Sequence, residues 1–173
     1  FHVMGDSKLY EAFQIFDWYY MPMKWEHREA LKWIKPGMRI LEVGCGRGDF
    51  LKEVRHRTDT DVIGIELNAS VNGTGDIPVL NEDIVEHTVN HPSEYDLICS
   101  FQVLEHIPEV KEFLDACNSA LKNGGFLILS VPNNSSFLRH SENYLNTPPH
   151  HMGLWTRKVF RKIQDYFDLQ LLH

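Results

Sequence analysis

At 173 residues, with 43% hydrophobic and 24% charged side chains, the chain is long enough to bury one sizeable core and short for two domains. Its formal charge of -7, from 17 Lys+Arg against 24 Asp+Glu, is spread along the sequence without a basic block, which argues against nucleic acid as a partner. The longest apolar runs, such as FLILSV at 126–131, fall far short of the ~20 residues a bilayer span needs, and no basic and apolar leader opens the chain, so a soluble protein without a membrane partner is expected.

In chain order, the apolar period separates the segments. Leu9, Phe13, Phe16 and Tyr20 recur every three or four residues, as do Ala30, Leu31 and Ile34, which predicts two helices over 7–35, broken near MPM at 21–23 and ended by KPGM at 35–38. Strand-like runs then alternate with helical ones: RILEVG (39–44) precedes DFLKEVRH (49–56), and DVIGIE (61–66) precedes a short polar stretch and the weaker PVLNED (78–83). YDLICSFQ (95–102) precedes a helix with Val110, Phe113, Leu114, Cys117 and Leu121 on one face. Pro108 suits that helix's first turn, and NGG at 123–125 its C-terminal stop. FLILSV follows, then an irregular segment to Trp155, a helix capped by Thr156 that bears Val159, Phe160, Ile163 and Phe167, and DLQLLH as a sixth strand. Strands alternating with helices predict an α/β fold with a doubly wound, mostly parallel sheet, whose ligands bind beyond the carboxyl ends of the strands.

Cys45, Cys99 and Cys117 stand far apart and cannot all pair, which suits a reducing cytoplasm. None has a second Cys or a His at zinc-ligand spacing, and the ten His are scattered, so no metal site is expected.

The most informative stretch is ILEVGCGRGDFL, Ile40 to Leu51. Gly44, Gly46 and Gly48 follow a predicted strand and precede a predicted helix, so the backbone there can turn sharply and a ligand can lie against it. The dinucleotide fingerprint G-x-G-x-x-G would put its third glycine at Asp49, whose charge would oppose a pyrophosphate at the helix N-terminus. A G-x-x-x-x-G-K phosphate loop is absent too. With Glu42 ahead of the glycines, the loop reads as a pocket for a nucleoside without phosphates and with positive charge.

LEVGCGRG resembles the first signature motif of the class I S-adenosylmethionine-dependent methyltransferases, and NEDIVE, YDLICSFQVLEHIPEV and LKNGGFLILSVPN resemble later segments of the same family. That resemblance implies a Rossmann-like core at 39–173 with six strands, or seven if the family's usual edge is complete, and a helical lid at 1–38. It implies S-adenosylmethionine as cofactor and S-adenosylhomocysteine as product. Glu42 would hold the methionine ammonium, and Gly44, Cys45, Gly46 and Gly48 would line the carboxypropyl and ribose parts. Glu66, 20 positions beyond Gly46, would accept from the ribose hydroxyls, with Leu67 beside it. Asp83 and Ile84 would contact the adenine, unless Asp83 is an acidic turn residue. Phe101 and Gln102 would flank the methionine moiety. His106 reads as packing or capping.

The acceptor side falls on NYLNTPPHHMGLWT, 143–156, since similar P-P-H-H-x-x-x-W segments occur in small-molecule branches of the family. His150 or His151 would orient or deprotonate a small-molecule acceptor, with Tyr144 and Trp155 shaping its pocket. The alternative is that both histidines bond backbone in a proline-fixed loop. Phe13 and Phe16 are expected inward, and one of Tyr10, Tyr19 or Tyr20 near the ligand. Methyl transfer from a sulfonium is an in-line displacement that alignment alone can accelerate, so no protein nucleophile is required. Two rival functions are a non-catalytic donor-binding module and a nicotinamide-dependent oxidoreductase, the latter disfavoured by Asp49. Phe1 in place of Met, and an end near a sixth strand, suggest a chain trimmed at its start and either cut short or lacking the seventh strand.

Overall fold

Side-chain alternation along the strands decides the architecture of this computed structural model, which describes residues 23–68, 76–136 and 146–172. In β1 (Arg39–Val43), Ile40 is buried on one face while Leu41 and Val43 are buried on the other, so the sheet needs a cover on each side. On the Ile40 face, Ala30 of α1 (Trp25–Leu31) and Phe50, Leu51 and Val54 of α2 (Asp49–Arg57) supply it. On the Leu41 face, Ile84 of α3 (Ile84–Asn90) and Phe113, Leu114 and Cys117 of α4 (Val110–Ala120) do so.

Five strands form one sheet in the order β3-β2-β1-β4-β5, every pair parallel, with β2 at Asp61–Ile65, β3 at Val79–Leu80, β4 at Tyr95–Phe101 and β5 at Leu121–Ser130. The chain builds outward from β1 to β3, then crosses back to place β4 on β1's other side, so strand order reverses between β1 and β4. Ligands of doubly wound sheets sit at such a switch point, beyond the carboxyl ends of the strands. The glycine loop leaves β1 there, and a 3-10 turn (Leu104–His106) follows β4 there.

Three expectations differ in detail. Pro108 precedes α4, whose N-cap is Glu109. The NGG triplet does not stop α4: the helix ends at Ala120 because Leu121 is already paired with Tyr95, and Gly124, at φ +77°, takes up the register shift before Phe126 meets Leu97. Residues 168–172 form no strand, and Leu171 and Leu172 stay exposed, so the described sheet has five strands rather than six or seven. Thr156 caps α5 (Arg157–Ile163) as expected, its side chain accepting from the Val159 amide. Of the proposed lid only 23–38 is described, and Tyr10, Phe13, Phe16, Tyr19 and Tyr20 lie outside the described residues. No helix among the described residues is long and apolar enough to cross a membrane.

Candidate functional site

β1 delivers the chain into the site through its acid. Glu42 lies on the sheet between Gly64 of β2 and Cys99 of β4, is 4% exposed, and its Oε2 has no hydrogen-bond partner among the described residues. Burial, and then the charges of Asp49 and Glu66, push its carboxyl well above the usual range. Without a cation beside it, the protonated form is favoured.

The loop that follows is closed by its own amides. Gly44 and Cys45 both donate to the Ile65 carbonyl, at 2.9 and 3.2 Å, and Gly46 donates to Glu66 Oε2 at 3.0 Å. Gly44 sits at φ +72°, and a Cβ there would lie 2.4 Å from Val103 Cγ2, so neither the conformation nor the space admits a side chain. At Gly46, with φ +52°, a Cβ would meet nothing within 4 Å, which leaves the backbone open to a ligand. Gly48, the N-cap of α2, completes the turn.

The remaining cofactor candidates divide. Glu66 stands at the carboxyl end of β2 with its carboxylate pinned by Gly46 and, at 3.0 Å, by the Asn68 amide. Leu67 beside it is 38% exposed. Phe101 ends β4 and packs edge-on against Phe50 and against His27 of α1, at 5.1 and 4.8 Å between ring centroids. Gln102 lines a cleft of about 430 Å³ with Met23, Lys24 and Glu26, and adopts φ +56°, a left-handed conformation costly for a non-glycine residue. Its amide and side-chain nitrogen hold it there by donating to Ser130 O and Oγ. Cys45 turns its sulfur inward onto Gly64, where it also donates to the Gly46 carbonyl at 3.4 Å. Asp83 caps α3 by accepting from the Glu86 amide at 2.8 Å, and Ile84 is buried in the core.

On the acceptor side, three imidazoles converge that the sequence does not show together. The rings of His106, His150 and His151 lie 4.9 Å apart in all three pairs, with His150 and His151 stacked and His106 edge-on to both. Backbone bonds make this convergence: the Met152 and Gly153 amides donate to the Glu105 carbonyl, fastening the loop to the 3-10 turn. His106 Nδ1 donates to the His150 carbonyl at 2.6 Å. His151 Nδ1 lies 2.9 Å from Asn146 Oδ1, while Asn146 Nδ2 donates to Asn134 Oδ1. Burial, and for His150 and His151 the neighbouring rings, hold all three below the usual imidazole range, His151 down to about 4. His106 thus bonds backbone, and the fold brings together three histidines that are scattered along the sequence.

Trp155 does not line an open pocket: it is 5% exposed, in the core against Phe160, with its indole close beside Gly153. Tyr144 lies outside the described residues. Sequence reasoning also passed over Glu105, which is 1% exposed, has an Oε2 without a partner among the described residues, and is pushed up to about 7 by burial. Its position shortly after the end of β4 was the available signal.

Comparison with known proteins fits this geometry. A family described as "Methyltransferase domain" matches residues 19–173. The ubiquinone biosynthesis O-methyltransferase of Paraburkholderia phymatum is 31% identical over 129 residues, covering 66% of this chain and 53% of that protein. The protein of the same name from Photorhabdus laumondii is 32% identical over 56% of this chain and 44% of its own. The chain thus spans about half the length of these curated relatives. Among solved structures, a SAM-dependent methyltransferase from Archaeoglobus fulgidus superposes with a TM-score of 0.68 at 24% identity, over 80% of this chain and 64% of that one. Phosphoethanolamine N-methyltransferase 2 of Haemonchus contortus, solved with S-adenosyl-L-methionine, gives 0.64 at 18% identity, over 82% and 36%.

Proposed function

The chain belongs to the class I S-adenosylmethionine-dependent methyltransferases, and from that premise we propose that it moves a methyl group from S-adenosylmethionine to a hydroxyl oxygen of a small-molecule acceptor. One observation carries the donor half: a buried carboxyl at Glu42, its Oε2 without a partner among the described residues, under an open glycine loop and next to a second acid at Glu66. Two acids at the loop suit a donor that is itself a cation. In this reading Glu42 takes the donor's ammonium, Glu66 the ribose hydroxyls, and Gly44, Gly46, Gly48 and the Cys45 backbone line the chain between them. Leu67 and the free face of Asp83 border the base, with Ile84 beneath, and Phe101 and Gln102 flank the methionine part. One methyltransferase domain, with residues 23–38 as the described part of its lid, and three buried free thiols that suit the cytoplasm complete this reading.

The donor supplies a sulfonium-bound methyl carbon and a neutral leaving group. The chain's own residues align the acceptor and take its proton. With the donor held there, an imidazole would take the acceptor's hydroxyl proton as its oxygen gains the methyl group. His151 fits that role. An Asn146 whose nitrogen already donates to Asn134 offers its oxygen to His151, so His151 Nδ1 carries the hydrogen and Nε2 keeps the lone pair. His150 is stacked against it. The O-methyltransferase names of the relatives support an oxygen acceptor. Replacing His150 and His151, each with Ala and with Gln, should cut turnover by about 10²-fold or more while leaving S-adenosylhomocysteine affinity within about threefold. Full turnover in both sets removes the imidazole base.

A further inference from the structure

We infer that His106, His150 and His151 form a binding site for a divalent transition cation of the zinc class, with a fourth position open to an oxygen ligand. Each residue offers one ring nitrogen, and the three nitrogens lie within 4.8 Å of one another. A tetrahedral zinc ion with bonds of ~2.0–2.1 Å sets its ligand nitrogens about 3.4 Å apart, so the rings need only small rotations inward.

Tautomers support the assignment independently of spacing. A carbonyl oxygen can only accept, so His106 Nδ1 must carry the hydrogen it gives to His150 O, which leaves the lone pair on Nε2. His151 reaches the same state through Asn146, itself oriented by Asn134. Metal-binding histidines commonly donate their second nitrogen to such an oxygen, which fixes the ring and raises its basicity. Burial favours neutral rings here, so protons do not compete for these lone pairs near neutral pH. An all-imidazole set without carboxylates selects zinc, cobalt, nickel or copper over magnesium or calcium.

This site goes beyond methyl transfer: the ion is held by the loop at 146–151 and the turn after β4, and because it takes the His151 lone pair, the bound ion and the imidazole base are alternative uses of one nitrogen. Only the occupant of the fourth position, water or an acceptor oxygen, rests on the proposed function.

The test uses the full chain after dialysis against a chelator. Zn2+ is titrated by calorimetry, and Co2+ by the visible absorption that low-coordinate cobalt acquires. One ion per chain is expected, with Mg2+ producing no heat. His106→Gln and His151→Gln should each weaken Zn2+ by more than tenfold, and Asn146→Ala by about tenfold through loss of ring orientation. S-adenosylhomocysteine binding, unchanged in each variant, shows that the fold persists. Failure of Zn2+ and Co2+ to bind, or equal Zn2+ affinity in wild type and both His variants, overturns the site. Loss of homocysteine-product binding in wild type would instead overturn the methyltransferase reading and leave the metal result standing.

Discussion

Replacing Glu42 with Gln separates what the donor pocket contributes to binding from what it costs the fold. In the ligand-free chain Glu42 is buried, its Oε2 is unpartnered among the described residues, and burial with the Asp49 and Glu66 charges favours the protonated acid. Glutamine has nearly the same volume and mimics the protonated acid that burial favours, so the ligand-free stability should change by less than about 1 kcal/mol. Binding changes the balance, because a ligand ammonium stabilises the ionised carboxylate. A hydrogen bond to a charged group contributes about 1.5–3 kcal/mol, so Glu42→Gln should weaken S-adenosylhomocysteine by roughly 10–150-fold. The sign with pH follows. Glu42 has a raised pKa when free and a lower one when bound, so binding releases a proton, and wild-type affinity rises with pH until the free acid is ionised. Calorimetry in buffers of different ionisation enthalpy counts that proton. An unchanged affinity in the variant, together with no proton release in the wild type, would refute this role for Glu42.

Other positions give sharper stability tests. Gly44→Ala adds a Cβ 2.4 Å from Val103 Cγ2 at φ +72°, which should cost about 2–4 kcal/mol in denaturant unfolding, whereas Gly46→Ala at φ +52° meets no atom within 4 Å and should cost about 1–2. Equal losses would contradict the close packing of the loop against Val103. Tyr95→Phe removes the partner 2.6 Å from His87 Nε2 inside the core, so it should destabilise by about 1–3 kcal/mol although it deletes only a hydroxyl; a neutral effect would mean that His87 finds another partner. For Asp96, burial pushes the carboxyl up, but the Lys122 ammonium and the Arg39 amide outweigh it and hold the group low. Its stabilisation is therefore present above the unfolded carboxyl's pKa and lost as pH falls through the lower folded value. Asp96→Asn should flatten acid unfolding in that window, and identical acid curves would mean that the ion pair contributes nothing to stability.

Sheet and switch point were legible because their signals are local. The apolar run Arg39–Val43, the glycines after it and the amphipathic face of α4 each carry their own pattern, and sheet pairing only assembles them. Where neighbours decide, the sequence misled. Gly124 has the chemistry of a helix stop, yet Leu121 pairs with Tyr95 first. Leu171 and Leu172 read as strand but find no partner strand among the described residues. Of the site, the backbone-built part around Gly44–Gly48 and Glu66 could be read from spacing, since 20 residues of β-α-β unit fix that distance. Trp155 could not, because burial in the core and exposure in a pocket favour the same side chain. His106 is separated by 44 residues from His150, and the Glu105 carbonyl, accepting from Met152 and Gly153, brings them together.

Calorimetric titration with S-adenosylhomocysteine and, in parallel, with NADH tests the central claim most directly. A buried acid beneath the glycine loop and Asp49 at the start of α2 predict saturable binding of S-adenosylhomocysteine at one site per chain and no binding of NADH. Binding of NADH without S-adenosylhomocysteine would contradict it.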